Sequence, residues 1–172
     1  LNFLDALDGC PPVQLISIDS FPGVGRFHGL GQLDPGQLAS LWPYRKPVTR
    51  PMYEGAATVW RALKDPDPSE LHHLAEKGFG DELPFMTDAL KRHLQELPGV
   101  GDGLSLTQRL TLTLLREKGP MNAGKLFGTY MFDAEPLPFL GDLMYCHVLE
   151  GLASGGAILE SSHANEWHRR DV

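Results

Sequence analysis

Hydrophobic and polar residues alternate along this chain in two rhythms, and breakers separate one from the other. Near the start, Leu1, Leu4 and Leu7 recur at helical spacing until Gly9 and the Pro11-Pro12 pair stop them. Val13 to Ile18 (VQLISI) is a short apolar run rich in β-branched residues, and it predicts a buried strand. From Asp34 onward the rhythm is helical. Asp34-Pro35-Gly36-Gln37 carries an N-cap aspartate, a proline at the first helical position and a glutamine that completes a capping box. That helix is short, because Pro43 follows Trp42, and Pro43 to Pro51 predicts an extended connector. Met52 to Lys64 predicts a helix with Tyr53, Ala56, Ala57, Trp60 and Leu63 on its apolar face. Asp67-Pro68-Ser69-Glu70 launches another, to about Lys77. Pro84 to Leu97 predicts the next, with Phe85, Leu90, Leu94 and Leu97 inward, and Pro98 to Gly103 (PGVGDG) a flexible joint.

The most module-like stretch is Leu104 to Ser161. Ser105 and Gln108 form a Ser-x-x-Gln capping box, after which Leu106, Leu110 and Thr113-Leu114 keep helical spacing. Lys118-Gly119-Pro120 ends that helix with a cation, a C′ glycine and a breaker. Asn122 can cap a second helix to about Met131, with Leu126, Phe127 and Tyr130 on one side. After Pro136 and Pro138, Phe139 to Leu152 predicts a third helix, and Ala157-Ile158-Leu159 a wing strand. The expected fold class is therefore mainly α, in four parts. Residues 1–31 are read as the C-terminal remnant of an α/β domain with a glycine-rich loop, and 32–102 as a helical region. Residues 103–161 are read as a winged-helix-like domain, and 162–172 as a loose tail.

Composition narrows the function classes. The 172 residues are 42% hydrophobic with a mean hydropathy of −0.19, as in a globular protein with a real core. The formal charge is −7, opposite in sign to that of a nonspecific nucleic-acid binder. No apolar run reaches the length of a membrane span, and no signal peptide is visible, so no membrane partner and a cytoplasmic setting are expected. Cys10 and Cys146 have no partner motif and read as two free buried thiols in a reducing compartment. The chain opens at Leu1, inside an apparent helix, which leads to the expectation that it is part of a longer protein.

Three phrases, FPGVGRFHGLGQL, LPFMTDALKRHLQELP and GLSLTQR, resemble a set of bacterial proteins grouped as domain of unknown function eighteen-thirty-five. The resemblance runs from about Val13 to Glu160, the C-terminal portion of such proteins. It implies a further α/β region upstream, which would hold the sheet neighbours of the Val13–Ile18 strand. It implies architecture and no catalytic residues.

Candidate chemistry is sparse. Winged helices often read DNA, but function has to be argued from the site. The third helix, Phe139 to Leu152, has no Lys or Arg and carries Asp142 and Glu150, with only Tyr145 and His147 as donors. Residues 103–172 hold six basic against eight acidic side chains, and residues 1–102 nine against fourteen. Arg109, Arg116, Lys118 and Lys125 are the residues on which a nucleic-acid reading would rest, and Arg169-Arg170 is a further basic pair. The leading expectation is a non-catalytic protein-binding or regulatory module. Its partner would be another protein or the upstream domain of the same chain, with DNA disfavoured by charge.

The alternative from another class is an enzyme or nucleotide-like ligand binder using the loop after the first strand, through Asp19, Ser20, Arg26 and His28. Gly23-Val24-Gly25, Gly29 and Gly31 imitate a phosphate fingerprint. The spacing is wrong, however, and no helix N-terminus follows directly. Those glycines read instead as positive-φ turns and close-packing positions. His72-His73 and His93 lack metal-ligand spacing, neither cysteine has a nucleophile signature, and no cofactor or metal is expected.

Overall fold

Capping chemistry sets most helix starts. In the computed structural model, which describes residues 11–159, the described residues form one two-stranded antiparallel sheet and seven α-helices, the first between the two strands and six after them. The fold is mainly helical, as its hydrophobic rhythm predicts. The expected helix at Leu1–Leu7, Cys10 and the tail 162–172 lie outside the described residues. The chain divides into two compact units that meet between Leu94 and Gln95.

In the first unit, β1 (Gln14–Leu15) pairs antiparallel with β2 (Lys46–Pro47). This corrects the buried-strand expectation. Only two of the six residues pair, Val13, Leu15 and Ile18 are half-buried, and the partner is the downstream connector. A proline in β2 and one exposed face suit a short edge ladder rather than a sheet interior. Helix α1 (Pro35–Ser40) begins on the expected capping box, with Asp34 Oδ1 accepting from Gln37 N at 2.8 Å and Gln37 Oε1 accepting from Asp34 N at 2.9 Å.

Helices α2 (Arg50–Lys64), α3 (Ser69–Lys77) and α4 (Met86–Leu94) build the core of this unit. Val59, Ala62, Leu71, Leu74, Ala75 and Leu90 are buried together, with Phe79, Met86 and Leu94 packed on them. The inward face of α2 differs from the expected one. Met52, Val59 and Ala62 are buried, while Trp60 is 49% exposed and Leu63 is also exposed. One residue of offset is a 100° rotation on a helix. Gly55 lies on the buried side, where an added Cβ would stand 3.2 Å from Leu83 Cδ1, so its missing side chain admits Leu83 and Phe79. Asp67 starts α3 by accepting from Ser69 N at 2.9 Å and from Ser69 Oγ at 2.6 Å. Helix α4 is shorter than Pro84–Leu97. The next two residues serve the second unit instead, where Gln95 O accepts from Leu106 N at 2.8 Å and the Glu96 carboxylate accepts from Thr107.

The second unit contains α5 (Leu106–Lys118), α6 (Ala123–Thr129), a π-helical turn at Tyr130–Ala134 and α7 (Asp142–Ser154). Each of the three helices touches the other two. Leu114, Leu126, Tyr130, Met131 and Tyr145 form the buried centre. The Ser105–Gln108 box, the Asn122 cap and Gly119 at φ 77° are as the sequence predicts. Pro98–Gly103 is a hydrogen-bonded turn rather than a plain joint. Gly99 N donates to Leu104 O, Gly103 N donates to Gly99 O, and Asp102 accepts from Leu104 N. Helix α7 starts at Asp142 behind an N-cap Gly141, three residues later than expected. The wing strand is not formed, since Ala157 and Ile158 lie in a bend after the Gly155-Gly156 turn. No helix among the described residues is long and apolar enough to cross a membrane.

Candidate functional site

The loop residues expected to bind a ligand are held by short-range bonds. Ser20 Oγ donates to Asp19 Oδ1 at 3.0 Å, on the exposed surface. Gln32 clamps the other pair, with its Oε1 accepting from His28 N at 2.7 Å and its Nε2 donating to Arg26 O at 3.0 Å. Of the four loop glycines, only Gly23 needs its residue type by conformation, at φ 82°. A Cβ at Gly25, Gly29 or Gly31 would meet nothing, which corrects the close-packing reading of those three. A three-residue 3-10 turn, Leu30–Gln32, follows, and it is too short to offer the aligned amides of a phosphate site.

Among the described residues, the four basic side chains of the second unit do not form one patch of free charge. Arg109 Nη1 lies 3.2 Å from Asp102 Oδ1, and Lys118 Nζ lies 2.7 Å from Asp133 Oδ2. The Asp102 carboxyl is held below the usual range, first by the Leu104 amide that it accepts and then by Arg109. Arg116 and Lys125 are exposed on different helices. Half of the cations a DNA reading needs are thus neutralised by carboxylates of the same unit.

Two features of this unit stand out instead. The first is the outer side of α7. Leu143 is 76% exposed and Met144 57% exposed, and Phe139, just before the helix, is half-exposed. The charges of that helix are Asp142 and Glu150, and His147 Nδ1 pairs with Glu150 Oε2 at 3.0 Å. Cys146 is free and exposed, contrary to the buried-thiol expectation. The inner side buries Tyr145 and Leu152.

The second is a buried polar seam between α5 and the segments around it. Thr107 and Thr111 stand one turn apart on α5, and both are fully buried. Thr107 Oγ1 donates to Glu96 Oε1 at 2.6 Å and lies 3.1 Å from the Tyr130 hydroxyl. The Tyr130 hydroxyl in turn bonds the carboxylate of Glu135, which is 1% exposed and also accepts from Leu137 N at 2.9 Å. Thr111 Oγ1 pairs with the Tyr145 hydroxyl at 2.9 Å, and burial pushes that phenol up to about 12. A carboxylate beside hydroxyls suggests acid–base chemistry, but such a group must reach a reacting atom. Apart from the half-buried Glu96, these side chains are sealed from solvent, so the seam organises the unit. Sequence reading passed over Thr107, Thr111 and Glu135. The available signal was the i, i+4 threonine pair on a helix whose apolar residues leave that face open.

Among the described residues, no group of three or more His, Cys, Asp or Glu side chains gathers as a metal site. No family model, no curated protein and no solved structure matches this chain.

Proposed function

We propose that the second unit is a non-catalytic protein-binding module, built as a helix-turn-helix-like scaffold without a wing, and that the outer side of α7 is its docking surface. One observation carries this reading. The helix placed to read DNA exposes Leu143 and Met144, carries Asp142 and Glu150, and has no Lys or Arg. Phosphate contacts supply much of the affinity of DNA readers, and this surface would repel them. Exposed apolar side chains rimmed by charge suit a protein partner instead, and an unbranched Met adapts to varied surfaces. The complementary partner presents an apolar segment flanked by Lys or Arg, facing Asp142 and Glu150. The resemblance to the bacterial family is part of the same proposal, and it assigns no catalytic residue.

Position-resolved crosslinking tests this. A photoreactive residue in place of Leu143 in the full chain should give a discrete protein adduct in a cell extract, lost when Met144→Glu is added. The same group in place of the exposed Glu117 should give none. Equal adducts from both positions, or adducts to nucleic acid from Leu143, would contradict the reading.

A further inference from the structure

The two most exposed aromatic side chains among the described residues stand just after α1, where a 3-10 turn, Trp42–Tyr44, leads into β2. Trp42 is 63% exposed and Tyr44 70% exposed, and Leu38 is exposed one turn earlier on α1. Their surroundings are cationic. The span from Pro35 to Tyr53 contains Arg45, Lys46 and Arg50 and no Asp or Glu. The Arg45 guanidinium lies 4.7 Å from the centre of the Trp42 ring and donates to Trp42 O at 2.7 Å. That stack fixes two long side chains in advance, so less order is lost when a partner arrives. Lys46 is exposed on β2. Among the described residues no carboxylate forms an ion pair with Arg45 or Lys46, whereas Arg50 pairs with Glu54 at 3.1 Å.

Fixed aromatic rings beside uncompensated cations match an apolar surface that carries carboxylates. The chain owns such a surface in α7, where Leu143 and Glu150 stand two turns apart on one face, with Asp142 and Met144 beside Leu143. We propose that the Trp42–Lys46 segment of one molecule is the docking site for α7 of a second copy of this chain. The thioether of Met144 and the Leu143 side chain pack on the two rings, and Asp142 and Glu150 answer Arg45 and Lys46. The inference rests on the α7 docking surface proposed above and names its partner. Single-stranded nucleic acid also stacks on exposed aromatics, but the formal charge of −7 opposes a polyanion. Because the two surfaces differ, the contact is head-to-tail, and association adds copies until a ring closes rather than stopping at a symmetric pair.

Sedimentation velocity of the full chain from about 1 µM to about 1 mM spans the affinities of so small a contact. The native chain should gain mass with concentration. Leu143→Glu spoils α7 and Trp42→Glu spoils the aromatic segment, and each variant alone should stay at the mass of one 19.0 kDa chain. Mixed, they should form a complex of two chains, since one keeps the segment and the other keeps α7. Lys46→Glu, which leaves both rings in place, should weaken the native association, and adding Glu150→Lys should recover part of it. A native chain that stays monomeric throughout, or mixed variants that stay apart, would overturn the proposal. A monomeric native chain whose Leu143 still crosslinks to a different protein would overturn this inference alone and leave the α7 docking surface standing. Oligothymidine bound by a monomeric native chain and lost in Trp42→Glu would overturn it as well, and would give the segment to nucleic acid.

Discussion

Tyr130 and Tyr145 stack with ring centroids 4.8 Å apart, and their hydroxyls reach Thr107 and Thr111, one turn apart on α5. Two rings from different segments are thereby fixed against one helix at both their faces and their tips. The arrangement joins apolar burial to directional bonds, and directional bonds discriminate between packings that apolar area alone would leave similar in energy.

The Thr111–Tyr145 bond should show strong coupling in a double-mutant cycle. Tyr145→Phe and Thr111→Val each leave one buried polar atom without its partner, at about 1–3 kcal/mol. The double substitution removes both polar atoms and should cost less than the two singles added together. Denaturant midpoints of the four proteins check this.

Alkaline titration should find Tyr145 ionising late. Unfolded tyrosine ionises near 10, and in the fold this group waits until about 12. The folded state thus holds the proton more tightly. The contribution of this group is complete below pH 10 and is lost between about pH 10 and 12, at about 1.4 kcal/mol per unit. Phenolate absorbance should show a late-ionising component that is lost in Tyr145→Phe.

On α2, the smaller side chain should matter more. Val59→Ala empties part of a closed core and should cost about 2 kcal/mol. Trp60→Ala removes a larger but half-exposed ring that carries Lys64 over its face at 5.5 Å, and it should cost less. Thermal melts of the two variants decide the order, and the reverse order would restore the face drawn from the sequence.

At the start of α5, Ser105 accepts from Gln108 N at 3.2 Å, and Gln108 accepts from Ser105 N at 2.9 Å. Ser105→Ala should destabilise the protein by about 1 kcal/mol, while Ser105→Asp, which keeps an acceptor at the cap, should recover most of that loss. Urea unfolding measures both.

Local chemistry was the legible part of this chain. Asp34, Ser105, Asn122 and Gly119 mark helix ends through bonds to nearby backbone, so their signals lie within a few residues of their effects. Packing was less legible. On α2, Trp60 and Leu63 look like core by type, yet what fixes the inward face is Leu83 and Phe79 closing on Gly55 from a later segment. The Val13–Ile18 run reads as buried because β-branched residues favour strands, but its short exposed pairing is set by the prolines of its partner. The polar seam was hidden for the same reason. Glu135 is buried because Tyr130 and Leu137 N receive it, and no spacing rule joins Glu96, Thr107 and Glu135. The loop site expected at Asp19, Ser20, Arg26 and His28 divides into an Asp19–Ser20 bond and a Gln32 clamp, neither of which spacing alone reveals.

The sharpest test of the α7 assignment is fluorescence anisotropy of a labelled duplex DNA titrated with the full chain at several salt concentrations. An acidic protein whose candidate reading helix exposes Leu143 and Met144 should give no saturable binding at any salt concentration. Saturable binding that weakens steeply with salt, and that disappears in Arg116→Ala with Lys125→Ala, would contradict the protein-docking account and return this helix to DNA.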